Sequence, residues 1–296
     1  MNGKRFNNKN ITNKNERKTE KNEDKTNRII EETEKSDVQA NRITEENKKS
    51  ARTNKKRGGK AKRIITTILL LFFIILMLLS GTKIVMWVLD NAKNKEIINE
   101  LSNFVMVDEN NRYNVDFEKL KEENSDTVAW LKVNGTNIEY PVVKSDNNDY
   151  YLTRSFDKSY NTAGWIFMDC NNEADGTDKN AVIYGHNRRD GSMFGSLKNI
   201  LTDEWKSNEE NFTIQYITEN GEEEYQVFSV YSIEKEDYYI TTAFNSNKDF
   251  SDFINNIKSR SEKDFNIDVN SEDHILTLST CANDNKYRVV LHAKRK

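Results

Sequence analysis

The run IITTILLLFFIILMLLSGT, from Ile64 to Thr82, holds 19 consecutive residues without a charge. As a helix rising about 1.5 Å per residue it would measure about 28 Å, the thickness of the hydrocarbon core of a bilayer. A soluble core helix of that length ordinarily keeps a polar face. This run has none, so it predicts one transmembrane helix over residues 64–82. Seven positive charges and no acid lie between Arg52 and Arg63. By the positive-inside rule they put the N-terminal side in the cytoplasm and everything beyond the run outside the cell. A cleaved signal peptide would be shorter and end in a small-x-small site, whereas this run continues into Lys83 and IVMWVL, the pattern of an uncleaved signal anchor. Trp87 suits either the outer membrane interface or a juxtamembrane helix.

The anchor divides two differently charged parts. Residues 1–63 carry 20 Lys and Arg against 10 Asp and Glu, while the remainder carries 25 against 38, so the net charge of −3 conceals a dipolar chain. The first 60 residues are mostly Asn, Lys, Glu, Arg and Thr, too poor in apolar surface to offset the entropy of ordering. They predict a disordered basic cytoplasmic tail over 1–63. Nucleic acid is not expected as a partner, because acids are interleaved, aromatic spacing is absent and an apolar segment follows directly.

Beyond the anchor, KNKEIINELSNFV and DFEKLKEENSD repeat apolar residues every three or four positions, predicting juxtamembrane helices within 83–125. From Thr127 the chain turns to β-rich runs: TVAWLKV, NIEYPVV, GWIFMD, NAVIYG, FTIQYI, YQVFSVYSI, HILTLST and YRVVLHA, separated by Asn, Asp and Gly. Eight such runs suit a closed barrel or a sandwich, a mainly β domain over residues 126–296. SMFGSLKNILTDEW and NKDFSDFINNIKSRSE read as helical interruptions. About 170 residues suffice for a core without disulfides. Neither Cys170 nor Cys281 has a CxxC partner or a His at zinc-ligand spacing, so no metal and no cofactor is expected.

Three residues stand where chemistry is useful. His186, one of three histidines, ends the run NAVIYGH, where its side chain emerges at a strand rim; a loop histidine without a task is the plainer reading. Cys281 ends HILTLSTC, and outside the cell such a thiol is either bonded to Cys170 or used as a nucleophile. Arg288 opens the next strand in YRVVLHA. A hairpin between Leu278 and Val290 would bring its guanidinium near Cys281, where it could favour a thiolate or an oxyanion; a solvated strand-end arginine is the commoner case.

TLSTC with a downstream YRVV, and VIYGHN followed by DGSMF, resemble the active-site blocks of the class B sortases. The resemblance continues through AWLKVNGTNIEYPVVKSDNNDYYL and GWIFMD and covers most of residues 115–296 in order. It implies a closed eight-stranded sortase-type β-barrel with N-terminal helices and an inserted helix before the Cys-bearing strand. It also implies Cys281 as nucleophile, His186 as its acid and base, and Arg288 as the third catalytic residue. Asn148 and Leu152 of DNNDYYL, Tyr239 and Ile240 of DYYITT, and Ser279 of TLSTC fall where the family lines its substrate groove. Cys170 has no role in that pattern and reads as a free, partly buried thiol.

The implied reaction is transpeptidation. The thiolate attacks the Thr carbonyl of a C-terminal sorting motif, and an amine of the peptidoglycan precursor, from lipid II or a cross-bridge, resolves the thioacyl enzyme. With unperturbed values near 8.5 and 6.5, under about 1% of Cys–His pairs are thiolate and imidazolium at pH 7. The site therefore either shifts both groups or works from a minor state. Two rival readings are a membrane-anchored binding or scaffold domain with Cys281 inert, and a papain-like hydrolase that releases its product into water.

Overall fold

The computed structural model describes residues 9–234, 236–281 and 286–296; within these, the side chains of Cys281, of residues 53–61 and of most residues before Ile30 lie outside the description. The chain divides into two units, Met1–Gly81 and Thr82–Lys296. One long helix, α1, runs Lys9–Ser102. Residues 9–63 of the expected tail lie on this helix and residues 1–8 lie outside the described residues; Lys and Glu are good helix formers, and i,i+4 pairs such as Lys35 with Glu31 (3.3 Å) support a local helix without tertiary contacts. The described side chains from Ile30 to Arg52 are all exposed. Within α1, Lys62–Ser102 is long and apolar enough to cross a membrane, and its apolar window buries none of its residues.

The second unit begins with the end of α1, followed by a small hairpin, β1 (Val105–Val107) with β2 (Tyr113–Val115), and by α2 (Phe117–Glu123). The Asp116 carboxylate caps α2 by accepting from the Lys119 amide at 3.1 Å. The hairpin is absent from the sequence reading because strands of three residues carry too little periodicity to be recognised.

All eight predicted β runs enter one closed barrel. They form β3 (Thr127–Val133), β4 (Glu139–Val143), β5 (Phe167–Met168), β6 (Asn180–His186), β7 (Thr213–Thr218), β8 (Gly221–Glu234), β9 (Ile275–Cys281) and β10 (Tyr287–Arg295). Around the barrel the order is β10, β8, β7, β3, β4, β5, β6, β9. Only two pairs are parallel, β4 with β5 and β6 with β9. GWIFMD yields just two strand residues, because Gly164 turns at φ +60° and Trp165 bonds back to the Tyr151 carbonyl at 2.9 Å.

SMFGSLKNILTDEW is not one helix. A 3-10 turn, Leu197–Leu201, precedes α3 (Asp203–Ser207), and Thr202 stands between them in an extended conformation, its hydroxyl accepting from the Trp205 amide. The inserted helix α4 spans Asn247–Ser259, capped by Ser246, and buries Phe250, Phe253, Ile254 and Ile257. That spacing makes one apolar stripe. It packs with Phe228, Tyr231, Ile275 and Val290 into a second core, while the alternate residues Leu276, Leu278 and Leu291 join the first core. Strands β8, β9 and β10 thus bury both faces, and β6, β9 and β10 carry the site.

Candidate active site

Strands β6 and β9 run parallel and in register from Asn180 opposite Ile275 to His186 opposite Cys281. On the other side of β9, β10 pairs antiparallel, with Val290 opposite Ser279 and Leu291 opposite Leu278. The pairing ends at Val290 and Ser279; continued by two residues, the same register would bring Arg288 to the level of Cys281. Strands lie about 4.8 Å apart, so His186 and Cys281 occupy one level of neighbouring strands, with Arg288 near the start of the next strand.

His186 is held from several directions. Its carbonyl accepts from the amides of Arg188 and Phe194, both at 3.0 Å, which folds the following loop back onto the strand end. Beneath it, a Cβ on Gly185 would come within 2.5 Å of Ile166 and 2.6 Å of Phe194, so only glycine lets the core close under the histidine. The imidazole Nε2 lies 2.7 Å from the Leu152 carbonyl oxygen. A carbonyl can only accept, so Nε2 carries the proton and, in the neutral ring, Nδ1 holds the lone pair. Nδ1 is buried and has no partner among the described residues.

Burial lowers the His186 pKa below its ordinary 6.5. The Leu152 acceptor opposes the shift, and the positive charges of Arg188 and Arg288 add to it. The ring is therefore mainly neutral at pH 7. On the opposite strand, Arg288 Nη1 is likewise buried without a partner among the described residues. Buried unpaired polar atoms cost about 1–3 kcal/mol each, and these two belong to residues close enough for the Arg288 charge to act on His186.

The five groove candidates fall into three places. Ser279 lies one level down, buried, its hydroxyl 3.0 Å from that of Tyr239. Tyr239 and the half-buried Ile240 belong to a 3-10 turn, Tyr238–Ile240, pinned by Asn180 Nδ2, which donates to the Tyr239 and Thr241 carbonyls at 3.4 and 2.9 Å. Leu152 meets His186 through its backbone. Asn148 spends its amide internally, donating to Asp169 Oδ2 at 3.0 Å and accepting from the Cys170 amide at 2.8 Å. Asp169 in turn accepts from Tyr184, the register partner of Ser279, at 2.7 Å. Cys170 is a free, half-buried thiol, so the Cys170–Cys281 bond left open by the sequence is not made.

Arg188 was not singled out from the sequence. It is 4% exposed and lies two residues past His186, ion-paired with Asp190 at 3.6 Å. The doubled arginine of GHNRRDG was its only local signal.

A sortase domain matches residues 131–296. Sortase B of Listeria monocytogenes is 34% identical over 223 residues, covering 73% of this chain and 90% of that protein. The chain belongs to the sortase family, in class B. The crystal structure of sortase B from Bacillus anthracis matches with a TM-score of 0.63 and 33% identity, covering 70% of this chain and 98% of that one. A Staphylococcus aureus sortase B–substrate complex matches at 0.58 and 33% identity, covering 61% of this chain and 84% of that one. This sortase is a cysteine transpeptidase of cell-wall sorting, acting on sorting-motif proteins and an amine nucleophile. Its family and its apolar helix associate it with the membrane or the cell wall.

Proposed function

We propose that this sortase cleaves a C-terminal sorting motif after Thr and transfers the protein to a peptidoglycan amine, with Cys281, His186 and Arg288 as its catalytic residues. The observation that carries the reading is the lone-pair-bearing Nδ1 of His186, buried and without a partner among the described residues, on the register partner of Cys281. In the reaction, the Cys281 sulfur attacks the Thr carbonyl carbon as Nδ1 takes up the thiol proton. The carbonyl electrons move onto oxygen, where the Arg288 guanidinium donates to the oxyanion. Collapse breaks the C–N bond, and Nδ1 returns its proton to the departing amine, leaving a thioacyl enzyme. The incoming amine reverses these steps, losing a proton to Nδ1 and expelling the thiolate. A mainly neutral imidazole leaves Nδ1 free to take up a proton as the sulfur reacts.

Leu152, Tyr239, Ile240 and Ser279 are read as lining the groove for the motif. Asn148 is read as shaping its rim, since both its amide atoms are engaged. The domain boundaries follow the sequence reading: cytoplasmic tail 1–63, signal anchor 64–82, juxtamembrane segment 83–125 and catalytic domain 126–296 outside the cell. The acceptor is an amine of lipid II or of a cross-bridge. The test is mass spectrometry of the enzyme mixed with a sorting-motif peptide. A thioacyl adduct on Cys281, released by added amine and absent in Cys281→Ala, is expected; cleavage without an adduct sinks the reading.

A further inference from the structure

The segment of α1 nearest the barrel has two zones. At its end, Ile97, Ile98 and Leu101 join the apolar core. One to three turns earlier, the helix makes polar contacts instead, and these go to the two loops that flank His186.

Asn94 is 3% exposed, an unusual depth for a polar residue on a helix whose neighbours Lys95 and Glu96 are exposed. Its Oδ1 accepts from Ser155 Oγ at 2.6 Å and Asn161 Nδ2 at 2.9 Å. One turn back, on the same face, Asp90 accepts from the Thr162 amide at 3.0 Å and from the Thr162 hydroxyl, and its carbonyl takes Asn161 Nδ2 at 3.2 Å. Lys93 adds an ion pair with Asp157 at 2.7 Å. Loop 153–163 is thus fastened to α1.

The two ends of that loop are what touch the imidazole. At one end the Leu152 carbonyl accepts from Nε2. At the other, Gly164 approaches so closely that a Cβ there would sit 2.8 Å from His186 Cδ2. Asn161 couples the ends to the helix, since its amide bonds the Thr153 carbonyl at 3.0 Å and its carbonyl receives the Gly164 amide at 3.1 Å. On the other flank of His186, Arg188 donates to Asn91 Oδ1 and lies 5.7 Å from the Trp87 ring.

We propose that Asp90 and Asn94 of the juxtamembrane helix are positioning residues for His186, holding the Leu152–Gly164 loop that fixes its imidazole. The inference rests on the reading of His186 as the acid and base. Apolar packing alone would secure the helix through Leu101; buried amide and carboxylate contacts to one loop add direction, and misplacing a catalytic group by about 1 Å can cost 10²-fold.

The test uses the full chain in detergent micelles. With three histidines in the chain, the His186 Cε1–H resonance is assigned by its loss in His186→Gln and then titrated. The charges acting on the ring are those of Arg188 and Arg288, and Cys281 is its register partner on β9. Asp90→Ala/Asn94→Ala should lower kcat about tenfold with KM within about twofold, and should move the His186 midpoint up toward 6.5 as the ring becomes wetter. Asp90→Asn keeps an acceptor for Thr162 and should retain most of the activity. Leu101→Ala loosens the same helix at its apolar end; it should lower the melting temperature without moving the titration. An unmoved His186 midpoint in the double variant, or in Asp90→Ala alone should the double variant not fold, overturns the bracing, as does an equal movement in Leu101→Ala. Undiminished cleavage by His186→Ala overturns the acid–base reading instead, and the titration still reports the bracing.

Discussion

On the proposed role, replacing His186 by Ala removes the nitrogen that moves the proton, so peptide cleavage should fall about 10²–10⁴-fold, and the melting temperature should fall modestly because the Leu152 carbonyl loses its donor. Arg288→Lys keeps a charge but loses the planar fork that offers Nη1; a loss of about 10²-fold in kcat/KM is expected, and full activity would reduce the residue to a point charge. Double variants of these residues should be far from additive, as for any unit sharing one transition state. Gly164 carries a different kind of demand. At φ +60°, with a Cβ that would meet the Tyr151 and Leu152 carbonyls at 2.7 and 2.9 Å, Gly164→Ala is strained twice over. Left-handed backbone costs a non-glycine residue about 1–2 kcal/mol; the melting temperature should drop, and cleavage should drop further, because the displaced Leu152 carbonyl holds His186.

The strands supply a chain of hydrogen bonds beneath this level. Tyr238 donates to Tyr231 and Tyr231 to His292 Nε2, at 3.2 and 2.8 Å; His292 Nδ1 lies 2.8 Å from Thr277 Oγ1, which donates to Asn180 at 2.6 Å. The chain runs one way only if His292 is neutral, and complete burial pushes its pKa from 6.5 down to about 3. The unfolded chain takes up that proton as pH falls below 6.5 and the folded one does not. Stability is therefore whole above about pH 6.5 and lost between there and about pH 3, at up to about 1.4 kcal/mol per pH unit. Urea midpoints measured from pH 7 to 4 should fall accordingly, and less steeply in His292→Phe. Asn180 passes the effect to Tyr239, so the groove wall should loosen in the same range. At this scale the sequence was a good guide. Alternation in TVAWLKV and NAVIYGH and the i, i+3, i+4 stripe of α4 are local periodicities, and they marked every barrel strand and the inserted helix. Asp90, Asn94, Asp169 and Arg188 escaped notice because their partners are single polar groups far along the chain, which leave no period behind. The residues proposed for the site could be named from their motifs, while what steadies them left no signal in the sequence.

For the whole chain, orientation is the sharpest expectation. Protease added to intact, wall-stripped cells should remove the domain beyond the anchor and spare the tail; the reverse pattern would turn the protein round and remove the case for wall chemistry. A chain beginning at Thr82 should be soluble and folded, since the unit Thr82–Lys296 contains both apolar cores; an insoluble or molten product would count against that boundary. The parallel pairing of β6 with β9 has a consequence for biosynthesis. His186 and Cys281 are 95 residues apart in the chain, and adjacent parallel strands cannot form by a local turn; β7, β8 and α4 lie between them. Contacts of such long range form slowly, after the intervening loop-closure cost is met. With Cys281 and His186 in the roles proposed above, a new chain would carry its thiol without its base until the ring of strands closes, and the capacity to form an acyl bond would arrive together with the finished fold.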